Sequence, residues 1–142
     1  MQMSRLEIVI DNQHFEAELL TDEAPRTCAA FLKCLPIETK TYHCCWSGDS
    51  IFFTLPLEKN PVPPPGENAS IYGAQGHVGW YQAQDYHEFQ IVHGYAQYRR
   101  PDGPSPFNIF AKITSNLKSF DLLCRRLQKE GGKTITIREI SA

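Results

Sequence analysis

The side chains best suited to proton transfer, nucleophilic attack or metal binding gather in two stretches of this chain. Three of the five histidines, His77, His87 and His93, lie between Tyr72 and Tyr95, and His43 opens the run His43-Cys44-Cys45-Trp46-Ser47. From His87 onward a period of two sets His87, Phe89, Ile91, His93 and Tyr95 on one face of a strand, with Glu88, Gln90, Val92 and Gly94 on the other. A buried imidazole must find a hydrogen-bond partner. A face mixing two histidines with Phe89 and Ile91 is therefore either a core with satisfied histidines or the wall of a pocket.

Geometry limits what these residues can do. His87 and His93 on one strand stand with Cα atoms about 20 Å apart, too far for one metal ion without a bulge or bend. Adjacent strand residues face opposite ways, so at most His43 and Cys45 of the His-Cys-Cys run converge, a poor zinc motif. No metal site and no cofactor are expected. Ser47 lacks the G-x-S-x-G elbow that exposes a nucleophile and reads as a turn serine. Asp85 and Glu88 flank His87 and could form an acid/base pair in a cleft, although a solvated turn explains them equally well. The rings of Trp46, Phe53, Trp80, Tyr81, Phe89 and Phe110 are core by type, yet small barrels also keep grooves lined by such residues. The glycines form neither a phosphate loop nor a dinucleotide fingerprint.

The elements that hold these residues follow from hydrophobic periodicity. Leu6, Ile8 and Ile10, a turn at Asp11-Asn12-Gln13, then Phe15, Ala17 and Leu19 make a hairpin with one buried face. A helix over Pro25–Leu35 is expected, with Thr21 or Asp22 capping its start, the stripe Cys28, Phe31, Leu32 and Leu35, and Pro36 ending it. Tyr42–Trp46 and Ile51–Leu55 read as a second hairpin around Ser47-Gly48-Asp49. The proline-rich segment Pro56–Gly76 cannot form a regular ladder and reads as an ordered loop or a flap. His77–Tyr81 and His87–Tyr95 are strands, as are Phe107–Ile113 and the stretch through Ile135, Ile137 and Ile140. Leu117, Phe120, Leu123, Cys124 and Leu127 predict a second helix over Leu117–Lys129, stopped by Gly131-Gly132. The sum is a mainly β single domain over residues 1–142: a small antiparallel β-barrel whose ends are covered by two α-helices.

Composition excludes several partners. With 14 basic and 16 acidic residues the net charge is −2, and no basic run exceeds Arg99-Arg100 or Arg125-Arg126, so no nucleic-acid partner is expected. No stretch approaches the ~20 apolar residues of a membrane span, and the opening residues lack the apolar core of a signal peptide. Five cysteines, an odd number with Cys44 and Cys45 adjacent, suit reduced thiols in the cytoplasm.

Ala17-Glu18-Leu19-Leu20-Thr21-Asp22-Glu23-Ala24-Pro25-Arg26-Thr27 with Phe31-Leu32 resembles the opening of a cyclophilin, and Phe110-Ala111-Lys112-Ile113 resembles the segment before the second cyclophilin helix. Trp46-Ser47-Gly48-Asp49-Ser50-Ile51-Phe52-Phe53, Gly76-His77-Val78-Gly79-Trp80-Tyr81 and Ile91-Val92-His93-Gly94 are similar to a bacterial family of unknown function with a cyclophilin-like barrel. The resemblance implies a cyclophilin-like fold across most of the chain. It also implies a difference: prolyl isomerases of this fold bind the prolyl amide with the arginine of a Phe-His-Arg segment after the first helix. Here that region reads Tyr42-His43-Cys44-Cys45-Trp46, and a neutral imidazole does not supply an arginine's forked donors. The function expected is binding or transformation of a small metabolite in a barrel-side pocket lined by His43, Trp46, Ser47, Phe53, Tyr81 and His93, with Pro56–Gly76 as its lid. The alternative is a peptide-binding module or a residual peptidyl-prolyl isomerase. Self-association into a homo-oligomer is left open.

Overall fold

Alternating burial builds the first hairpin from β1 (Arg5–Ile10) and β2 (Gln13–Leu19), in which Leu6, Ile8, Ile10, Phe15, Ala17 and Leu19 all point inward. Asp11 and Asn12 turn the chain at φ of 51° and 62°, the left-handed pair that a two-residue hairpin needs and that these residue types tolerate. The computed structural model describes residues 4–140; residues 1–3 and 141–142 of the expected domain lie outside the described residues.

Helix α1 (Pro25–Leu32) begins where Pro25 predicts but is one turn shorter than expected, and neither Thr21 nor Asp22 caps it. Its N-cap is Ala24, without a side-chain bond. The free N–H groups of Arg26 and Thr27 are instead taken by Glu67, at 3.2 and 2.6 Å, from the proline-rich loop. Strand β3 (Ile37–His43) starts and ends earlier than the expected Tyr42–Trp46 strand, and β4 (Gly48–Pro56) follows. The long loop contains two short strands, β5 (Ala69–Ser70) and β6 (Tyr72–Gly73), before β7 (His77–Gln82) and β8 (Tyr86–Gln97). A small hairpin of β9 (Arg99–Arg100) and β10 (Gly103–Pro104) leads to β11 (Phe107–Ile113), α2 (Leu117–Glu130) and β12 (Lys133–Ile140).

The strands run β2-β1-β12-β3-β4-β8-β7-β11, every neighbouring pair antiparallel, and β11 pairs back onto β2 to close an eight-stranded barrel. The fold is thus a mainly β, closed antiparallel barrel with two helices, as the sequence predicts. Inside, Phe53 and Phe89 stack at 4.9 Å, and Phe31 of α1 packs on Trp80, Phe89 and Phe110 at the mouth nearer His87. Phe120, Leu123, Cys124 and Leu127 of α2 are buried toward the other mouth, where Phe120 meets Phe15 at 5.2 Å. A second, smaller core lies outside the barrel wall, where Val92, Tyr98, Phe107 and Ile109 pack together. Gly79 makes room for it: a Cβ there would stand 2.8 Å from Phe107 and 2.9 Å from the Tyr98 ring.

Candidate functional site

The end of β3, the inner face of β8 and one helix meet at the mouth covered by α2. His93, inward-facing on β8, is fully buried; His43, the last residue of β3, is half-buried; Asp121 lies in the first half of α2. Nε2 of His43 and Nε2 of His93 are 2.9 Å apart, His93 Nδ1 lies 2.6 Å from Asp121 Oδ1, and His43 Nδ1 lies 2.9 Å from the Cys44 carbonyl. Arg125 donates to Asp121 at 3.2 Å and to Asp49 at 3.3 Å, closing a ring of charge around the pair.

Proton counting states what this array requires. The Cys44 carbonyl and the Asp121 carboxylate only accept, so each Nδ1 must donate, and a third proton must lie between the facing Nε2 atoms to make that contact a hydrogen bond. Two neutral rings carry only two ring protons. Burial pulls the His93 ring below the usual histidine range, against the opposing pull of Asp121. Asp121 and Asp49 against Arg125 leave one negative charge beside the histidines. Although partial burial acts upward on Asp121, its hydrogen bonds from His93 and Arg125 hold the carboxyl below its ordinary range.

A bulge aims the site. Gly48 pairs with Ala96 but Ser50 pairs with Val92, so β8 carries extra residues just after His93. The inward alternation therefore stops at His93, and Tyr95, expected on the same face, is 93% exposed. Gly94 at this bulge leaves room for the Asp49 carboxylate, into which a Cβ would run, and the Tyr95 N–H donates to Asp49 at 3.1 Å. Two clefts of about 550 Å³ each flank Asp49. One is bordered by Tyr42, His43, Cys45 and the C-terminal end of α2; the other is bordered by Gly73–Gln75, Tyr95, Asp121 and Arg125.

Of the six residues expected to line a pocket, the structure brings His43 and His93 together. Ser47 is buried nearby, its hydroxyl donating to the Arg99 carbonyl and accepting from the Arg99 N–H, both at 3.2 Å, which ties the β3–β4 connection to β9. Trp46 packs on Phe52 at 5.1 Å and is half-buried. Phe53 is inside the barrel, 1% exposed, and lines no cleft. Tyr81 stands on the outer wall, stacked on Phe107 at 5.3 Å and under the Arg100 guanidinium at 4.8 Å, away from the histidine pair. The proline-rich stretch is not a lid over the pair, because Asn108 donates to the Pro64 carbonyl at 2.6 Å and Glu67 caps α1, which holds it against β7, β11 and α1. Only the loop's last residues, Gly73–Gln75, reach the site, and the Gln75 side chain donates to the His93 carbonyl at 3.1 Å.

Nor do Asp85 and Glu88 pair around His87. Asp85 is exposed, and Glu88 faces the outer wall, buried, 3.1 Å from Arg100 and bonded by Gln90 at 2.8 Å. Its carboxyl is raised by burial, against the pull of Gln90 and Arg100. His87 sits in the core and accepts from the Trp80 indole at 3.0 Å. Asp121, Arg125 and Asp49 were not legible as site residues: the i,i+4 spacing of Asp121 and Arg125 is ordinary for an exposed helix face. Among the described residues no group of three or more His, Cys, Asp or Glu side chains converges as metal ligands.

The profile of a family described as "Protein of unknown function (DUF3830)" matches residues 7–139. This chain belongs to the DUF3830 family. No curated protein matches it. Among solved structures, the DUF3830 chain is similar to McbB, solved in complex with tryptophan, at a TM-score of 0.73 and 13% identity. That match covers 94% of this chain but only 44% of McbB. The chain is also similar to a hypothetical protein from Archaeoglobus fulgidus, at a TM-score of 0.59 and 21% identity over 96% of this chain and 94% of that one. A cyclophilin-type peptidyl-prolyl cis-trans isomerase from Cryptosporidium parvum matches at a TM-score of 0.62 and 16% identity, with 99% of both chains covered. The fold of this DUF3830 member is accordingly cyclophilin-like. No helix of the described residues is long and apolar enough to cross a membrane.

Proposed function

We propose that this DUF3830 protein binds, and through His43 transforms, a small polar metabolite at the α2-covered mouth of its barrel. The observation that carries this reading is the hydrogen-bonded series Asp121–His93–His43, which runs from the helix through a buried ring to a half-buried ring on a cleft. Rotation of His43 away from its two partners would offer its ring nitrogens to a ligand for proton transfer. McbB, solved with tryptophan, carries the same barrel, which supports a small ligand for this architecture.

A peptide is a poorer fit. The outer wall across β8 and β7, where an extended chain would need open sheet, is covered by the chain's own Tyr98 and Phe107. The missing arginine between Arg26 and Arg99 argues against prolyl isomerisation as well. The five free thiols suit the cytoplasm. Thermal-shift screening against a metabolite panel tests the reading. A ligand is expected to raise the melting temperature of the wild type and to lose that effect in His43→Ala and His93→Ala. A panel without a single stabilising compound, or a shift that survives in both variants, would sink it.

A further inference from the structure

The facing nitrogens of His43 and His93 carry a second implication, independent of any metabolite. Each ring is fixed through its other nitrogen by an oxygen acceptor: His93 by the Asp121 carboxylate at 2.6 Å, His43 by the Cys44 carbonyl at 2.9 Å. A metal-binding histidine is held in this way, because an Nδ1–H committed to oxygen fixes the tautomer and turns a bare, more basic Nε2 toward the ion. With both Nδ1 atoms committed to oxygen, the two Nε2 atoms face each other across 2.9 Å, close to the spacing of two nitrogens that share one ion.

We propose that the space between His43 Nε2 and His93 Nε2 is a binding site for a divalent transition-metal ion of the zinc, nickel or copper class, which imidazole nitrogen suits. The fit requires little movement. Metal–nitrogen bonds of about 2.0–2.1 Å in tetrahedral geometry separate two nitrogens by about 3.3 Å, so the pair must open by about 0.4 Å. His43 can supply that opening, since it ends β3 and is only half-buried. Asp121 is a positioning residue here, itself held by Arg125 at 3.2 Å. The chain supplies two ligands, and the remaining coordination positions face the cleft bordered by Tyr42, Cys45 and Asp49, where water or a ligand atom would complete them. An ion so held would polarise a bound carbonyl or acidify a bound water.

Isothermal titration of the untagged, chelator-stripped full chain with zinc and nickel chlorides tests the site. Wild type and Cys45→Ser are expected to bind one ion per chain, Cys45→Ser serving to exclude the exposed thiol as the ligand. His43→Ala should abolish the binding, and Asp121→Asn should weaken it by about 10–100-fold with an unchanged far-ultraviolet circular dichroism spectrum. His93→Ala removes a buried ring, so His43→Ala is the deciding variant. Three results would overturn the proposal: no saturable binding up to millimolar ion, wild-type affinity in His43→Ala, or binding lost in Cys45→Ser. An ion bound without any stabilising metabolite would leave this inference standing while the metabolite reading fell.

Discussion

Burial shifts the charge of three histidines in the same direction. His77, His87 and His93 are each drawn below the usual histidine range, in each case first by burial. Between those lowered values and about 6.5 the folded chain binds fewer protons at these rings than the unfolded chain does, so stability falls as pH drops through that window. Asp121, held below its ordinary range, acts in the same sense at lower pH, because its contribution is lost as pH falls through its depressed value. Urea titrations at about pH 7.5 and about pH 5.5 are expected to give a clearly lower midpoint at the acid value. Equal midpoints would mean that the rings already carry their charge in the fold. The identity of the two site histidines was legible because His43 and His93 are chemically capable residues at predicted strand positions. Their partnership was not. It joins residues separated by 50 positions in the chain, and Asp121 joins only because α2 docks on the barrel mouth.

Among the elements, those with a strong apolar period were legible and those held by polar contacts were not. β1, β2 and α2 announce themselves through Leu6, Ile8 and Ile10, through Phe15, Ala17 and Leu19, and through Phe120, Leu123, Cys124 and Leu127. Most of β3 hides because its inward positions include Thr39 and Thr41 while Glu38 and Lys40 face solvent, which leaves no run of apolar residues to read. α1 was legible in its apolar stripe but not in its cap, since the capping carboxylate lies 40 residues downstream at Glu67. Glu67→Ala should therefore lower stability by about 1 kcal/mol, in the range of a lost N-cap, and free the proline-rich loop as well. Chemical denaturation measures the first effect. Faster proteolysis near Pro61–Gly66 would report the second, and a variant as stable and as protease-resistant as wild type would show that the Glu67 bonds matter to neither.

At the scale of the whole molecule, a barrel shared with a prolyl isomerase over 99% of both chains does not by itself specify isomerase chemistry. A coupled cis/trans assay on a proline peptide is expected to show no acceleration comparable to that of an ordinary cyclophilin; catalysis at that level would mean that another side chain substitutes for the absent arginine. The strand order has a consequence in time as well as in space. β12 lies between β1 and β3, so the first hairpin has no neighbour on that side until residues 133–140 have been made. During synthesis the β3–β4–β8–β7–β11 arc can assemble as it emerges, and β2 can pair early with β11. The ring, however, closes only when β12 slides into the remaining gap, a long-range step that makes this a slow-folding topology whose unpaired edges are exposed until that strand is in place.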